Sequence, residues 1–213
     1  MHQVICEGRP VTPSKIVCVG RNYVAHIEEL GNEIPQQMVV FNKPNSALGN
    51  TLYAELDEPL HYEGELALML YRGQFAAVAF GLDLTRRELQ SRLKEKGLPW
   101  ERAKAFDGAA LFSEFVALPH DLDELRLRLE VDGELRQQGG VNLMMYKPAT
   151  ILAELARYTT LEDGDIVMTG TPAGVGMVEL GRHYRGSVLA GESVLVSTSW
   201  VARGRDGGGT ISG

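Results

Sequence analysis

The chain is poor in cysteine, in tryptophan and in long apolar runs. Its 213 residues include two cysteines, Cys6 and Cys18, and two tryptophans. Two thiols are too few for a disulfide framework or a cysteine-built zinc site. Cys18 lies in the apolar run Ile16-Val17-Cys18-Val19, which predicts a buried thiol. No stretch approaches the ~18 apolar residues needed to cross a bilayer. The N-terminus MHQVICEGRP has no basic region followed by an apolar core, so it does not read as a signal peptide. A cytoplasmic protein is the expectation. A basic excess is also missing: 21 Lys and Arg stand against 28 Asp and Glu, a net charge of −7. That argues against nucleic acid as a partner. A small anionic ligand is not excluded, since a local cation can overrule the global sign.

What is present suits one globular unit. The chain is 44% hydrophobic and 23% charged, enough apolar sequence for a sizeable core. No internal repeat appears. Residues 1–13 read as a short N-terminal extension, 14–203 as a single domain, and the glycine-rich 204–213 as a flexible tail. Ile16 to Val19, Met38 to Phe41, Leu66 to Leu70 and Phe75 to Leu82 are continuously apolar, as expected of buried strands. Leu125 to Val131 alternates apolar and charged residues, and Asp132-Gly133 then suits a type I′ turn into Glu134 to Gln137. Val194, Val196, Thr198 and Trp200 alternate in the same way.

Three helices are predicted. Asn22 to Leu30 ends at Gly31, a residue suited to the C′ position. Thr85-Arg86-Arg87-Glu88 matches a capping box opening a helix to Lys96, stopped by Gly97 and Pro99, with Leu89 and Leu93 on its buried face. Pro148 to Tyr158 carries Ile151, Leu152, Leu155 and Tyr158 at helical spacing. Strands dominate and helices flank them, so the class is α+β and β-rich.

Chemistry first shows at His61-Tyr62-Glu63-Gly64-Glu65. On a strand, i and i+2 share a face, which sets Glu63 and Glu65 about 7 Å apart at the backbone. Like charges that close repel unless a cation lies between them. A solvated acidic edge would explain this pair alone. Asp83 shifts the balance, because it ends an apolar strand where an unpartnered carboxylate is costly. Two glutamates and an aspartate make an all-oxygen donor set, suited to Mg²⁺, Mn²⁺ or Ca²⁺. The loop Thr169 to Gly176 lacks the P-loop ending, so nucleotide binding is not indicated. Its N–H groups could hold a carboxylate, or it is a plain turn. Trp100 and Trp200 read as core or interface aromatics, and Arg126 and Arg128 as a solvated strand face.

These residues resemble the fumarylacetoacetate hydrolase superfamily, especially its short bacterial members and the acylpyruvases. The resemblance is carried by SKIVCVGRNYVAHIEEL (14–30), VFNKP (40–44), HYEGEL (61–66), GLDLT (81–85), KGLPWERAKAF (96–106), DGELRQQG (132–139) and LEDGDIVMTGTPAGVG (161–176). It implies a rolled, mixed β-structure, with flanking helices, and a homodimer. It implies that Glu63, Glu65 and Asp83 hold the metal, that Lys104 reaches substrate, and that His26 with Glu29 prepares a water. Arg21, Gln90 and Thr171 fall where relatives contact substrate. One departure stands out: only seventeen residues separate Glu65 from Asp83, where relatives carry a longer connection. Tyr71 to Gln74 is accordingly expected at the edge of the pocket, as a tight turn or a poorly ordered segment.

His26 and Glu29 at i and i+3 are helical neighbours, so the carboxylate can orient the imidazole as a general base. Glu28 is the adjacent alternative, about 100° away on the helix. Lys104, among Ala103, Ala105 and Phe106, is expected to be desolvated with a lowered pKa, or else to snorkel at the surface. The leading expectation is Mg²⁺- or Mn²⁺-dependent hydrolysis of a 2,4-dioxo acid of the acylpyruvate or fumarylpyruvate type. Water activated by His26 attacks C4, and a pyruvate enolate leaves as C3–C4 breaks. Oxaloacetate decarboxylation and isomerisation of a hydroxymuconate-type acid are the alternatives on the same residues.

Overall fold

A computed structural model describes residues 1–29, 31 and 35–205. The last residue of the first predicted helix, Leu30, and the part of the glycine-rich tail from 206 to 213 lie outside the described residues.

The apolar runs form the centre of a seven-stranded, curled mixed sheet. Along it lie Ala110–Phe112, Gln74–Asp83, Gly64–Tyr71, Ile166–Met168, Lys15–Gly20 and Val39–Pro44, with Val116–Ala117 also paired to Gln74–Asp83. Within it Ile166–Met168 runs parallel to Lys15–Gly20, while its other pairings are antiparallel. The runs are continuous rather than alternating because both faces are covered. Leu66, Leu68, Val78, Phe80 and Leu82 enter one apolar cluster, and Ala67, Met69, Ala77 and Ala79 enter another. Val17, Val19 and Val167 pack with Ile151 and Leu155 of the helix Pro148–Leu155. Cys18 is buried, as expected.

A second, antiparallel sheet orders Glu134–Gly140, Leu125–Val131, His183–Ala190 and Ser193–Val201. Leu125, Leu127 and Leu129 face the core, and Arg126 and Arg128 face solvent. Asp132 (φ 50°) and Gly133 (φ 83°) form the expected turn. Phe80 locks the two sheets together. It lies against Gly186, where a Cβ would come within 2.2 Å of the ring, so no larger residue fits there.

Several boundaries depart from expectation. The first helix is Val24–Glu29, ending before a left-handed Gly31 (φ 61°). The second is Arg87–Glu95, without the capping box. Thr85 instead belongs to a short strand, Thr85–Arg86, and its hydroxyl serves the site described below. Of its predicted apolar face, Leu93 is buried but Leu89 only half-buried. The third ends at Leu155, leaving Tyr158 exposed. Tyr71 to Gln74 is a tight turn, with Arg72 at φ 51° and Gly73 at φ 75°. It is not at a pocket edge. Tyr71 pairs with Gln74 at one end of the hairpin, whereas Glu65 pairs with Gly81 at the other. Six residues of strand put them about 20 Å apart. The short connection is a plain hairpin reversal.

Candidate active site

The carboxylates converge because one hairpin reversal brings Asp83 back beside Glu63 and Glu65 at one sheet end. Glu63 sits between the strands Glu58–Tyr62 and Gly64–Tyr71, and its carbonyl accepts from the Asp83 N–H at 2.8 Å. Glu65 follows two residues later. Ligand oxygens of Glu63, Glu65 and Asp83 all lie within 4.8 Å of one another, and all three residues are buried.

Three cations enter this cluster. Lys104, from the short helix Glu101–Lys104, donates to Glu63 Oε2 at 2.8 Å, Asp83 Oδ2 at 2.7 Å and Thr85 Oγ1 at 2.6 Å. Lys43 is wholly buried, donates to the Lys104 carbonyl, and sets Nζ 2.7 Å from Asp83 Oδ1. Arg87 pairs with Glu63 Oε1 and reaches Gln90 Oε1 at 3.1 Å. Burial would push the Glu63 carboxyl up, but Lys104 and Arg87 outweigh it and hold the group below the usual range. Glu65 goes the other way: burial, then Asp83 and Glu63, raise it well above the usual range. Its contact is the Gly170 N–H on Oε2, at 2.7 Å. The lowered pKa expected for Lys104 is a correction. Burial does press it down, but Asp83 and then Glu63 overrule that and raise it.

The donor set fits a divalent cation. All three donors are carboxylates, Glu65 has no cation in contact among the described residues, and Asp83 Oδ1 accepts no hydrogen bond despite its nearness to Lys43. A hard cation between these oxygens would relieve the like-charge repulsion.

One cleft collects most of the expected residues. It is lined by Arg21, His26, Glu63, Glu65, Asp83, Gln90, Lys104 and Thr171. Glu29 lies beside it: Oε2 is 3.2 Å from His26 Nδ1, and Oε1 accepts from the Gly174 N–H at 2.9 Å. The glycine-rich loop thus spends two of its N–H groups on the protein's own carboxylates, Glu65 and Glu29. Gly170 is required there, at φ 98° with a would-be Cβ 2.8 Å from that of Asn22. The Thr171 hydroxyl is already engaged, donating to the Gly64 carbonyl and accepting from Gln137.

Residues outside the sequence reading also belong here. Lys43 and Arg87 contact the carboxylates, the Thr85 hydroxyl accepts from Lys104, Lys94 lines the cleft, and Gln137 joins Gly64 to the loop. Asn22 clamps the loop by donating to the Thr169 and Tyr146 carbonyls. Trp100, expected in the core or an interface, lines the cleft and packs on Phe41, ring centres 5.8 Å apart. A lysine amid a strand such as VFNKP was the available signal for Lys43, because a buried ammonium demands a carboxylate partner.

Comparison with known proteins identifies the relatives of this chain. The chain is 43% identical over 194 residues to the mitochondrial oxaloacetate tautomerase FAHD1 of Arabidopsis thaliana, covering 82% of this chain and 86% of the relative. It is 38% identical over 191 residues to the oxaloacetate tautomerase YcgM of Escherichia coli K12, covering 79% and 85%. The fumarylpyruvate hydrolase of Pseudomonas aeruginosa, solved in complex with Mn²⁺ and pyruvate, superimposes with a TM-score of 0.86 at 30% identity and 96% coverage of both chains. The fumarylacetoacetate (FAA) hydrolase C-terminal family model matches residues 15–210. With its curled mixed sheet and buried acidic triad, the chain belongs to the fumarylacetoacetate hydrolase C-terminal family.

Proposed function

We propose that this chain is a divalent-metal-dependent enzyme of small 2-oxo acids, with keto–enol proton transfer on oxaloacetate as its main reaction. The observation that carries this is the meeting, in one cleft, of a buried carboxylate triad with proton-carrying groups at Lys104 and His26. The named activity of the relatives at 43% and 38% identity supports it.

A divalent ion held by Glu63, Glu65 and Asp83 would supply Lewis acidity that makes C3–H of a 2-oxo acid more acidic. Lys104, whose three N–H donors are taken by Glu63, Asp83 and Thr85, stays protonated and sets a fixed positive charge beside an oxygen that gains negative charge. His26, oriented by Glu29 at Nδ1, takes up or returns the proton at its other ring nitrogen. Gln90, anchored by Arg87, offers its amide to the ligand, and Arg21 offers positive charge. Thr171 shapes the floor, with its hydroxyl engaged by the protein. The base of the site is shielded from bulk solvent, since the triad and Lys104 are buried, which strengthens each of these interactions.

A second reading, hydrolysis of 2,4-dioxo acids of the acylpyruvate type, is favoured by the His26–Glu29 pair and by the likeness to fumarylpyruvate hydrolase. It uses the same groups, with His26 deprotonating water. We expect a two-fold homodimer, with Mg²⁺ or Mn²⁺ as the ion; a monomer mass at micromolar concentration contradicts the first. The deciding experiment supplies oxaloacetate enol, acetylpyruvate and fumarylpyruvate, each with Mg²⁺ or Mn²⁺. Faster ketonisation of oxaloacetate without cleavage of the others supports the tautomerase reading. Cleavage of acetylpyruvate with no effect on ketonisation replaces it with the second.

A further inference from the structure

Arg87, Gln90 and Lys94 stand at i, i+3 and i+7 of the helix Arg87–Glu95. At 3.6 residues per turn they fall within about 60° of one another, and all three line the cleft. They form a ladder. Arg87 reaches the triad through Glu63, Gln90 is one turn further, and Lys94 is about 10 Å along the axis from Arg87 at 1.5 Å per residue. Helical side chains lean towards the N-terminus, so the Lys94 stem slants back over the Gln90 turn.

Arg21 lines the same cleft from a different element. It follows the strand Lys15–Gly20, in the left-handed region at φ 56°, and precedes the clamped Asn22. A non-glycine residue held there is unusual and fixes where its side chain leaves the backbone. The surroundings of Lys94 are positive in balance. Burial lowers its pKa, Arg21 and Arg87 lower it further, and Lys104 adds to this, against Glu63 acting in the other direction. The cleft is therefore polarised, with buried carboxylates at its base and half-buried cationic groups, Arg21 and Lys94, from two elements.

We propose that Lys94, together with Arg21, receives a second carboxylate of the ligand, so that the site selects 2-oxo dicarboxylates over 2-oxo monocarboxylates. The inference rests on the reading above, in that the triad end takes the 2-oxo acid head. The metal-binding head alone is common to every 2-oxo acid and cannot tell these ligands apart. A cation one or two turns along the helix can, because it meets a carboxylate in one ligand and a methyl group in the other.

The test is calorimetry on the Mg²⁺-loaded protein with two unreactive ligands, malate and 2-hydroxybutyrate. They share one skeleton, and a methyl group in the second replaces the distal carboxylate. The wild-type protein is expected to bind malate about tenfold tighter, the scale of one charge-assisted contact. Lys94→Met brings the two affinities together, and Lys94→Arg keeps the preference. Lys94→Gln serves if the Met variant fails to fold. A preference that survives in Lys94→Met, or an equal loss for both ligands, overturns the inference. If oxaloacetate is not turned over, yet the preference and its loss at Lys94 are seen, the tautomerase reading fails while this one stands.

Discussion

The hairpin Gly64–Tyr71 and Gln74–Asp83 has buried carboxylates near both ends, and the chain treats them in opposite ways. Near the turn, the Leu70 N–H donates to the Asp165 carbonyl, and the Arg72 N–H donates to Asp163. The Asp165 side chain is fully satisfied. It accepts from the backbone and hydroxyl of Ser14, from the backbone and ammonium of Lys15, and from the Glu162 N–H. These donors outweigh burial and lower its pKa. At the far end, three carboxylates crowd together, Glu65 is pushed well above its usual range, and among the described residues Asp83 Oδ1 has the Lys43 ammonium 2.7 Å away but no hydrogen bond. A satisfied buried acid holds structure together. An acid left short of donors marks a place where a ligand completes the set.

The sharpest way to break this comparison is to neutralise one acid at the unsatisfied end. Glu65→Gln should cost catalysis about 10⁴-fold, the scale of losing several kcal/mol of Lewis-acid help, and should weaken Mg²⁺ binding in calorimetry. His26→Ala should cost about 10²–10³-fold in kcat, within the usual worth of general acid–base help, with Mg²⁺ affinity retained. Glu29→Gln should do the same to a lesser degree. Lys43→Met should lower metal affinity about 10–100-fold, as for partners that orient a ligand. It leaves Asp83 without one cation and frees the Lys104 carbonyl, so urea denaturation should also register the loss.

At the satisfied end the effect should fall on stability. Asp165→Ala removes the acceptor of five donors and strands Lys15, at a cost of about 3 kcal/mol by denaturant titration. The pH dependence has a defined sign. The Asp165 carboxyl is depressed in the folded state, so its contribution is complete above the unfolded value of about 3.9 and is lost as pH falls through the folded value. Wild type should therefore lose stability below about pH 4 more steeply than Asp165→Ala. The smallest effect belongs to the turn. Gly73→Ala places a side chain at φ 75° in open space and should cost about 1 kcal/mol, with ketonisation of oxaloacetate unchanged.

Much of this was legible in the sequence because it follows from local pattern. Continuous apolar runs gave the two-sided central sheet, and Asp132-Gly133 gave a turn of the second sheet. Conversely, Thr85-Arg86-Arg87-Glu88 has the letters of a capping box, but the Thr85 hydroxyl goes to Lys104 and the strand Thr85–Arg86 takes the backbone. Tertiary demand overrode local propensity. The direction of the Lys104 shift was missed for a similar reason. Apolar neighbours in sequence predicted desolvation, while the two carboxylates that reverse it are 21 and 41 positions away. Lys43 and Arg87 escaped notice because nothing nearby in sequence reveals which acids they meet. The placing of Tyr71 to Gln74 failed because a short connection was read as pocket trimming, although a hairpin of this length must turn at the end opposite its carboxylates.

The most direct test of the central claim follows the ketonisation of freshly dissolved oxaloacetate enol by absorbance, with wild type and Glu65→Gln at equal concentration. Each is measured with Mg²⁺ and again in excess chelator. The account predicts acceleration by wild type with Mg²⁺, abolished by chelator, restored by Mg²⁺ or Mn²⁺, and absent in Glu65→Gln. Undiminished acceleration in excess chelator, or in Glu65→Gln, would contradict it.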